Sequence, residues 1–421
     1  MKKVYIISIL FLISFASTAQ NISLTFNVEN ASGKHIYLTK YSDYITEMDE
    51  IVFSSIIPEN GIVKCEISAV KTESYKILIN YAEENIFLEP NSSYTINVAY
   101  PKVISNINPF QNKQYLILNV VSSNKHDVNK LINDFNVAYD DFLLEKLNFL
   151  SPKNILKEHE KFKQEYLKKN SNKFYTTYVE YSCGLTEISL VDKVDKSFID
   201  KYFTNKEVAY NSHEYFSLLK EVCKHSEYIL NDSTSNNLRL KEVAYLYTLL
   251  RDYFGDFSKD EVLNLIKSFT HKAKYTESKF LGNNIQIYLT RYRKGSYLPT
   301  LDLESEVGKK YDITQSGKKI YLFFYNSNVE ICGDIIKEIE SLDLESKYSV
   351  SPIFIPLDFD VTTIFPEKSL VLIPKDIAKT HIDLNIRNYP FAILVDNKGK
   401  ILRYNAPVTN AQLLEYLKLK D

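Results

Sequence analysis

Tryptophan is absent from the 421 residues, and none of the four cysteines, Cys65, Cys183, Cys223 and Cys332, stands in a C-x-x-C pair. The missing pair excludes a standard zinc ribbon and, on its face, a dithiol redox site. In an oxidising compartment four cysteines could form two disulfides, but their spacing matches no disulfide framework, and most are expected to be small buried apolar residues. Arginine is scarce: only Arg239, Arg251, Arg291, Arg293, Arg387 and Arg403 offer a planar fork for phosphate or carboxylate. An excess of either charge is lacking too, with 51 basic against 53 acidic residues and a net charge of −2. No overall field therefore recruits nucleic acid or an anionic membrane. Histidines are few, and His213 and His225 share no H-E-x-x-H frame, so the sequence implies neither a metal site nor a cofactor.

What is present is an ordinary globular balance, 45% hydrophobic and 25% charged, with 32 tyrosines and 24 phenylalanines. At about 100 to 200 residues per domain the length suggests two to four domains. The first 19 residues read as an export signal. Lys2 and Lys3 form the charged start, Val4 to Ala16 an apolar stretch too short to span a bilayer comfortably, and Ser17, Thr18 and Ala19 a small-residue cleavage site. No later stretch approaches the roughly 18 apolar residues of a membrane span, so the mature chain is expected to carry no transmembrane segment and to be periplasmic or otherwise exported.

Residues 20–103 alternate with period two. Ile22, Leu24, Phe26 and Val28 begin the pattern, and runs at 35–41, 51–57, 63–67, 75–79 and 94–98 continue it between turn residues such as Asn60-Gly61. This predicts a small antiparallel β-sandwich. Residues 104–294 form a helical segment: from about Ile107 the period becomes helical, clearest at 128–144 and 240–253. The mixed-sign run from Lys157 to Lys169 reads as a solvated helix face. Residues 295–421 become α/β. Lys319–Tyr325 and Val350–Leu357 suit buried strands, and Val329–Leu342 suits an amphipathic helix with Ile331, Ile335, Ile336, Ile339 and Leu342 apolar. Phe391–Val395 and Ile401–Tyr404 flank a turn with Gly399, and Thr409–Leu419 closes as a helix.

Gly295 to Pro299, Leu322 to Asn328, and Asn388 to Phe391 followed by Ile393–Asp396 and Gly399-Lys400 resemble, in this order, three motifs of one family. They are G-x-x-A-P-x-F, L-V-x-F-W-A-S-W and I-P-T-x-F-L-I-D-x-x-G-K of exported thioredoxin-like disulfide reductases of the TlpA and ResA type. The arrangement of a β domain, a helical segment and this C-terminal third is similar to exported Bacteroidetes proteins of that family. The resemblance implies a thioredoxin-like fold for 295–421, a cis-proline at Pro390, and thiol–disulfide exchange as the family chemistry.

The chain departs from the family at its chemical centre. Aligning W-C-x-x-C gives Asn328, Val329, Glu330, Ile331 and Cys332, so the attacking position is Val329 and only the resolving position keeps a thiol, Cys332. The leading expectation is a binding or scaffold module without dithiol activity. The resemblance implies an extended peptide, or a segment of an exported protein, laid along a groove made by Asn328, Val329, Tyr389, Pro390 and Phe391. Cys332 stands as the one candidate catalytic residue, for a single-thiol reductase or isomerase in which Cys183, Cys223 or a small thiol resolves the mixed disulfide. A carbohydrate- or peptide-binding surface on the β-sandwich, using its tyrosines, is the third alternative.

Overall fold

The computed structural model describes residues 20–80, 82–101, 114–147, 152–191, 193–225, 227–230, 237–327, 329–357, 366, 369–386 and 388–418. The expected export signal, Lys2 to Ala19, lies outside the described residues. Among the described residues no helix is long and apolar enough to cross a membrane.

The first nine strands are β1 (Gln20–Glu29), β2 (His35–Tyr41), β3 (Asp49–Ile56), β4 (Ile62–Ala69), β5 (Glu73–Ile79), β6 (Ala82–Leu88), β7 (Ser93–Ala99), β8 (Gln114–Tyr115) and β9 (Ile117–Ser122). They make a four-stranded sheet, β4-β1-β7-β9, and a five-stranded sheet, β3-β2-β5-β6-β8. Alternation sends Ile22, Leu24 and Phe26 of the first and Ile36, Leu38 and Ile77 of the second into one shared apolar core. Between β3 and β4, Gly61 turns with φ +70° so close to Val28 that a Cβ would stand 2.4 Å from the Val28 carbonyl oxygen, a place only glycine fits.

Two features differ from the sequence expectation. The sheets are mixed, because β7 runs parallel to β1 and β8 parallel to β6. Strands also stand at 114–122, where a helical period was expected from about Ile107. β9 completes the first sheet beside β7, and β8 joins β6 in the second. The short alternation around Ile117 to Ser122 is masked in sequence because its outward residues, Ile117 and Val121, are themselves apolar.

Nine helices follow among the described residues: α1 (Val128–Leu147), α2 (Pro152–Lys169), α3 (Lys173–Leu190), α4 (Lys196–Ile199), α5 (His213–Val222), α6 (Glu227–Leu230), α7 (Leu238–Tyr253), α8 (Lys259–Lys272) and α9 (Thr276–Arg291). A π-helical turn, Asp200–Thr204, extends α4. Side-chain caps set several starts: Asn172 accepts from the N–H groups of Phe174 and Tyr175, and Ser212 from that of Tyr215. The Lys157–Lys169 run lies in α2 and makes exposed pairs such as Lys161–Glu158 at 2.7 Å. It is not solvated throughout. His159 is fully buried, and Lys163 is buried beneath the Tyr202 ring, paired with Glu160 at 2.6 Å.

The C-terminal third contains β10 (Leu303–Ser305), β11 (Lys310–Tyr311), β12 (Lys319–Tyr325), α10 (Glu330–Ser341), α11 (Leu344–Tyr348), β13 (Val350–Pro356), β14 (Leu370–Pro374), α12 (Ile377–Leu384), β15 (Phe391–Val395), β16 (Ile401–Tyr404) and α13 (Asn410–Lys418). Its seven-stranded sheet has the order β11-β10-β14-β13-β12-β15-β16. β12 pairs in parallel with β13, and β13 with β14, while β15 and β16 run antiparallel beyond β12. Ile320 to Tyr325 are all buried, as a central strand covered on both faces requires. Burying side chains such as Leu322 and Phe324 contributes about 1.5 to 3 kcal/mol each. The β15–β16 turn closes on Gly399 at φ +76°.

A small joint links the first and last thirds. Tyr37 of β2 and Leu78 of β5 pack on Ala378 and Ile382 of α12. The Tyr37 hydroxyl donates to the Asp376 carboxylate, and His35 Nδ1 lies 3.4 Å from the same oxygen. Asp376 also caps α12 by accepting the Lys379 N–H at 2.8 Å.

Candidate functional site

β12 ends at Tyr325 and delivers the chain to the start of α10, while β15 begins at Phe391 beside β12, so the ends of two adjacent strands hold most of the expected site. Val329 is the N-cap residue of α10 and offers no side-chain acceptor to its free N–H groups. Two backbone bonds close the turn: the Val329 N–H donates to the Asn326 carbonyl at 3.0 Å, and the Cys332 N–H to the Val329 carbonyl at 2.8 Å. Asn328 lies outside the described residues.

Burial decides what this turn can do. Val329 is 2% exposed and Cys332 is 0% exposed, both inside the core that also holds Phe324, Tyr389 and Phe391. A thiol must meet a disulfide sulfur in line to exchange with it, and a fully covered sulfur is shielded from that approach. Ile331, expected to pack against the core, is instead 54% exposed at the helix start. The buried apolar face of α10 is carried by Ile335, Ile336 and Ile339, and Ile331, one turn before Ile335 on the edge of that face, lies in the exposed first turn. Glu330 sits in the first turn, where a carboxylate complements the helix dipole.

The Tyr389–Pro390 peptide bond is cis. Tyr389 is buried, and its hydroxyl is hydrogen-bonded to Nε2 of His381 on α12, an interaction without a sequence signal because eight residues and a helix end separate the two. Phe391 packs edge-on against Tyr404 at 5.1 Å, and Tyr404 stacks on Tyr292 at 4.5 Å. Pro390 is half-buried and Asn388 exposed, so the accessible part of this surface is narrower than the five residues expected to form it.

All four cysteines are free thiols. Cys183 and Cys223 are buried in two separate helical cores, neither of which contains Cys332. Burial pushes both thiols up to about 12, and the half-buried Cys65 thiol up to about 11. The structure therefore does not bring the proposed resolving cysteines to Cys332.

No family model matches the chain, and no curated protein is similar to it. Solved structures are similar in part. A thioredoxin-like protein from Bacteroides caccae is 13% identical, covering 66% of this chain and 96% of that one, with a TM-score of 0.33. The thioredoxin domain of a thiol-disulfide oxidoreductase from Bacteroides vulgatus is 15% identical over 30% of this chain and 96% of that one, with a TM-score of 0.25. A thiol-disulfide oxidoreductase from Bacteroides fragilis is 19% identical over 30% of this chain and 98% of that one, with a TM-score of 0.25. These thioredoxin-like neighbours cover part of a mixed α/β chain, and likeness at this level says nothing of its chemistry.

Proposed function

We propose that the chain is an exported thioredoxin-like protein that has lost dithiol redox activity and serves as a binding or scaffold module. The observation that carries this reading is Cys332 at 0% exposure, three residues after a buried valine at the start of α10. A nucleophilic thiolate needs access, and a resolving thiol needs an attacking partner. Neither requirement is met by Val329 and Cys332. Apolar cores centred on each of the three parts, the helical one also taking in Tyr44 and Ile45 and the last one Tyr292, support a division into a signal peptide at 1–19, a β-sandwich domain from 20, a helical segment to 294 and a thioredoxin-like domain at 295–421. The pairing of residues 114–122 with the first sheets supports an end of the β domain at about Ser122 rather than at 103. Export to the periplasm rests on the sequence of residues 1–19. The partner proposed for the surface around Pro390 is an extended peptide or exported protein.

Alkylation of the folded protein with iodoacetamide near neutral pH, followed by peptide mass mapping, tests the loss of activity. Cys332 is expected to react slowly until denaturant is added, and insulin reduction is expected to stay at the uncatalysed rate. Fast native labelling of Cys332, with insulin turnover abolished by Cys332→Ala, would establish the single-thiol reductase instead.

A further inference from the structure

A cavity of about 1120 Å³ opens between the β6 edge of one N-terminal sheet and the β9 edge of the other, walled by α1, α3 and the start of α5. None of its lining residues belongs to the C-terminal α/β unit. Ligand sites of about 300 to 1,000 Å³ hold a drug-sized molecule, so this one has room for an oligomer.

Of the four lining lysines, Lys125 and Lys130 are exposed, and Lys40 pairs with Glu73 at 3.2 Å. Lys76 is tied to Asp49 at 2.9 Å and to Glu83 at 3.4 Å, and those carboxylates hold its ammonium charged against burial. No arginine lines the cavity, so a phosphate or carboxylate ligand finds no planar fork there.

What the lining has in excess is hydrogen-bond acceptors. Asp49, Glu83, Glu84, Asp127 and Glu214 put five carboxyl groups in the lining against its four lysines. Glu214, at the start of α5, takes one hydrogen bond from the Ser212 hydroxyl at 3.1 Å, and burial pushes its carboxyl up to about 7. Asn85 and Asn133 add exposed amides that both donate and accept. Beside these, the half-buried rings of Phe87 and Tyr178, 5.9 Å apart and edge to face, supply flat apolar surface.

The fitting ligand brings many donors, carries no net negative charge and presents apolar C–H faces. We propose that this cavity binds a neutral oligosaccharide, whose ring hydroxyls supply the donors and whose pyranose faces lie on the aromatic rings. An extended peptide is the competing occupant. Strand addition along β6 is closed, because the Asn129 side chain holds both the N–H and the carbonyl of Phe87, at 2.8 and 2.7 Å, and the Glu83 carbonyl accepts the Leu116 N–H. β9 is the last strand of its sheet and keeps an edge open.

Isothermal titration of the full chain with maltohexaose, cellohexaose, xylohexaose and chitohexaose tests this, with an extended alanine-threonine peptide and a sulfated dextran as controls. At least one neutral sugar is expected to bind with a Kd of about 1 mM or tighter. Glu214→Gln puts an NH2 group in place of one acceptor oxygen of the lining, and is expected to weaken binding roughly tenfold. Asn133→Ala, at an exposed position, is expected to weaken it with unchanged thermal unfolding, and Cys332→Ala to leave it unaltered. Silence with all four sugars, binding that survives both Glu214→Gln and Asn133→Ala, or a preference for the peptide or the sulfated dextran would each overturn the proposal.

Discussion

On the register proposed above, Val329 stands where a thioredoxin-type helix would present its nucleophile; its side chain is packed at the start of α10. If that register is right, Val329→Cys places a thiol one helical turn from Cys332 and restores a C-x-x-C pair. The variant is expected to lose two thiols by titration on mild oxidation and to gain measurable insulin reduction, while Cys332→Ala in the same background abolishes both. Failure of the two cysteines to bridge would show that the motif is misplaced on the chain. The spacing of Val329 and Cys332 is a property of the sequence alone. The burial of Cys332 is not, since it depends on the core formed with Phe324 and Phe391, side chains brought in by β12 and β15. Lys163 makes the same point. Among alternating lysines and glutamates nothing distinguishes it, and its burial comes from Tyr202, on a π-helical turn 39 positions later.

At the scale of elements, α12 connects the β sheets to the candidate site. It is capped by Asp376, which also receives the Tyr37 hydroxyl, and it carries His381, bonded to Tyr389 beside Pro390. Asp376→Ala removes both the cap and the acceptor and is expected to destabilise the protein by about 1 to 2 kcal/mol, measured by urea unfolding. Tyr37→Phe, which keeps the cap, is expected to cost less. Equal costs for the two substitutions would show that the joint, and not the cap, dominates. The strands and helices with strong periodicity, such as β1, β12, α1 and α7, could be read directly. β14 and α12 were not, because a five-residue strand and an eight-residue helix carry too few periods to stand out and are held by neighbours on either side.

Over the whole molecule, two of the groups that shape stability against pH, the buried His159 and the half-buried Glu214, pull in opposite directions. Burial lowers His159 to about 4, below the usual value of 6.5, so the unfolded chain binds more protons between those limits. Stability from this histidine is fully present above about 6.5 and is lost as pH falls toward 4. Glu214 is raised from 4.5 to about 7, so the folded chain binds more protons there, and its contribution is present below about 4.5 and lost as pH rises through 7. Between roughly 4.5 and 6.5 the two slopes oppose each other, and each is read as the difference between its variant and the unsubstituted protein. Glu214→Gln is expected to gain urea resistance relative to the unsubstituted protein as pH rises from 4.5 to 7.5. His159→Gln is expected to flatten the loss between pH 6.5 and 4. A difference that does not vary with pH for either variant would mean that the group titrates normally in the fold.

The sequence by itself determined the order of β, helical and α/β parts and the absence of a paired dithiol, because local periodicity and covalent spacing are properties of the chain alone. It left open which residues are buried together. The mixed direction of the first sheets, the covering of Cys332, the His381–Tyr389 contact and the acceptor-rich cavity around Asp127 all arise from segments far apart in the chain. Only tertiary structure decided them, since burial exists only once those segments pack.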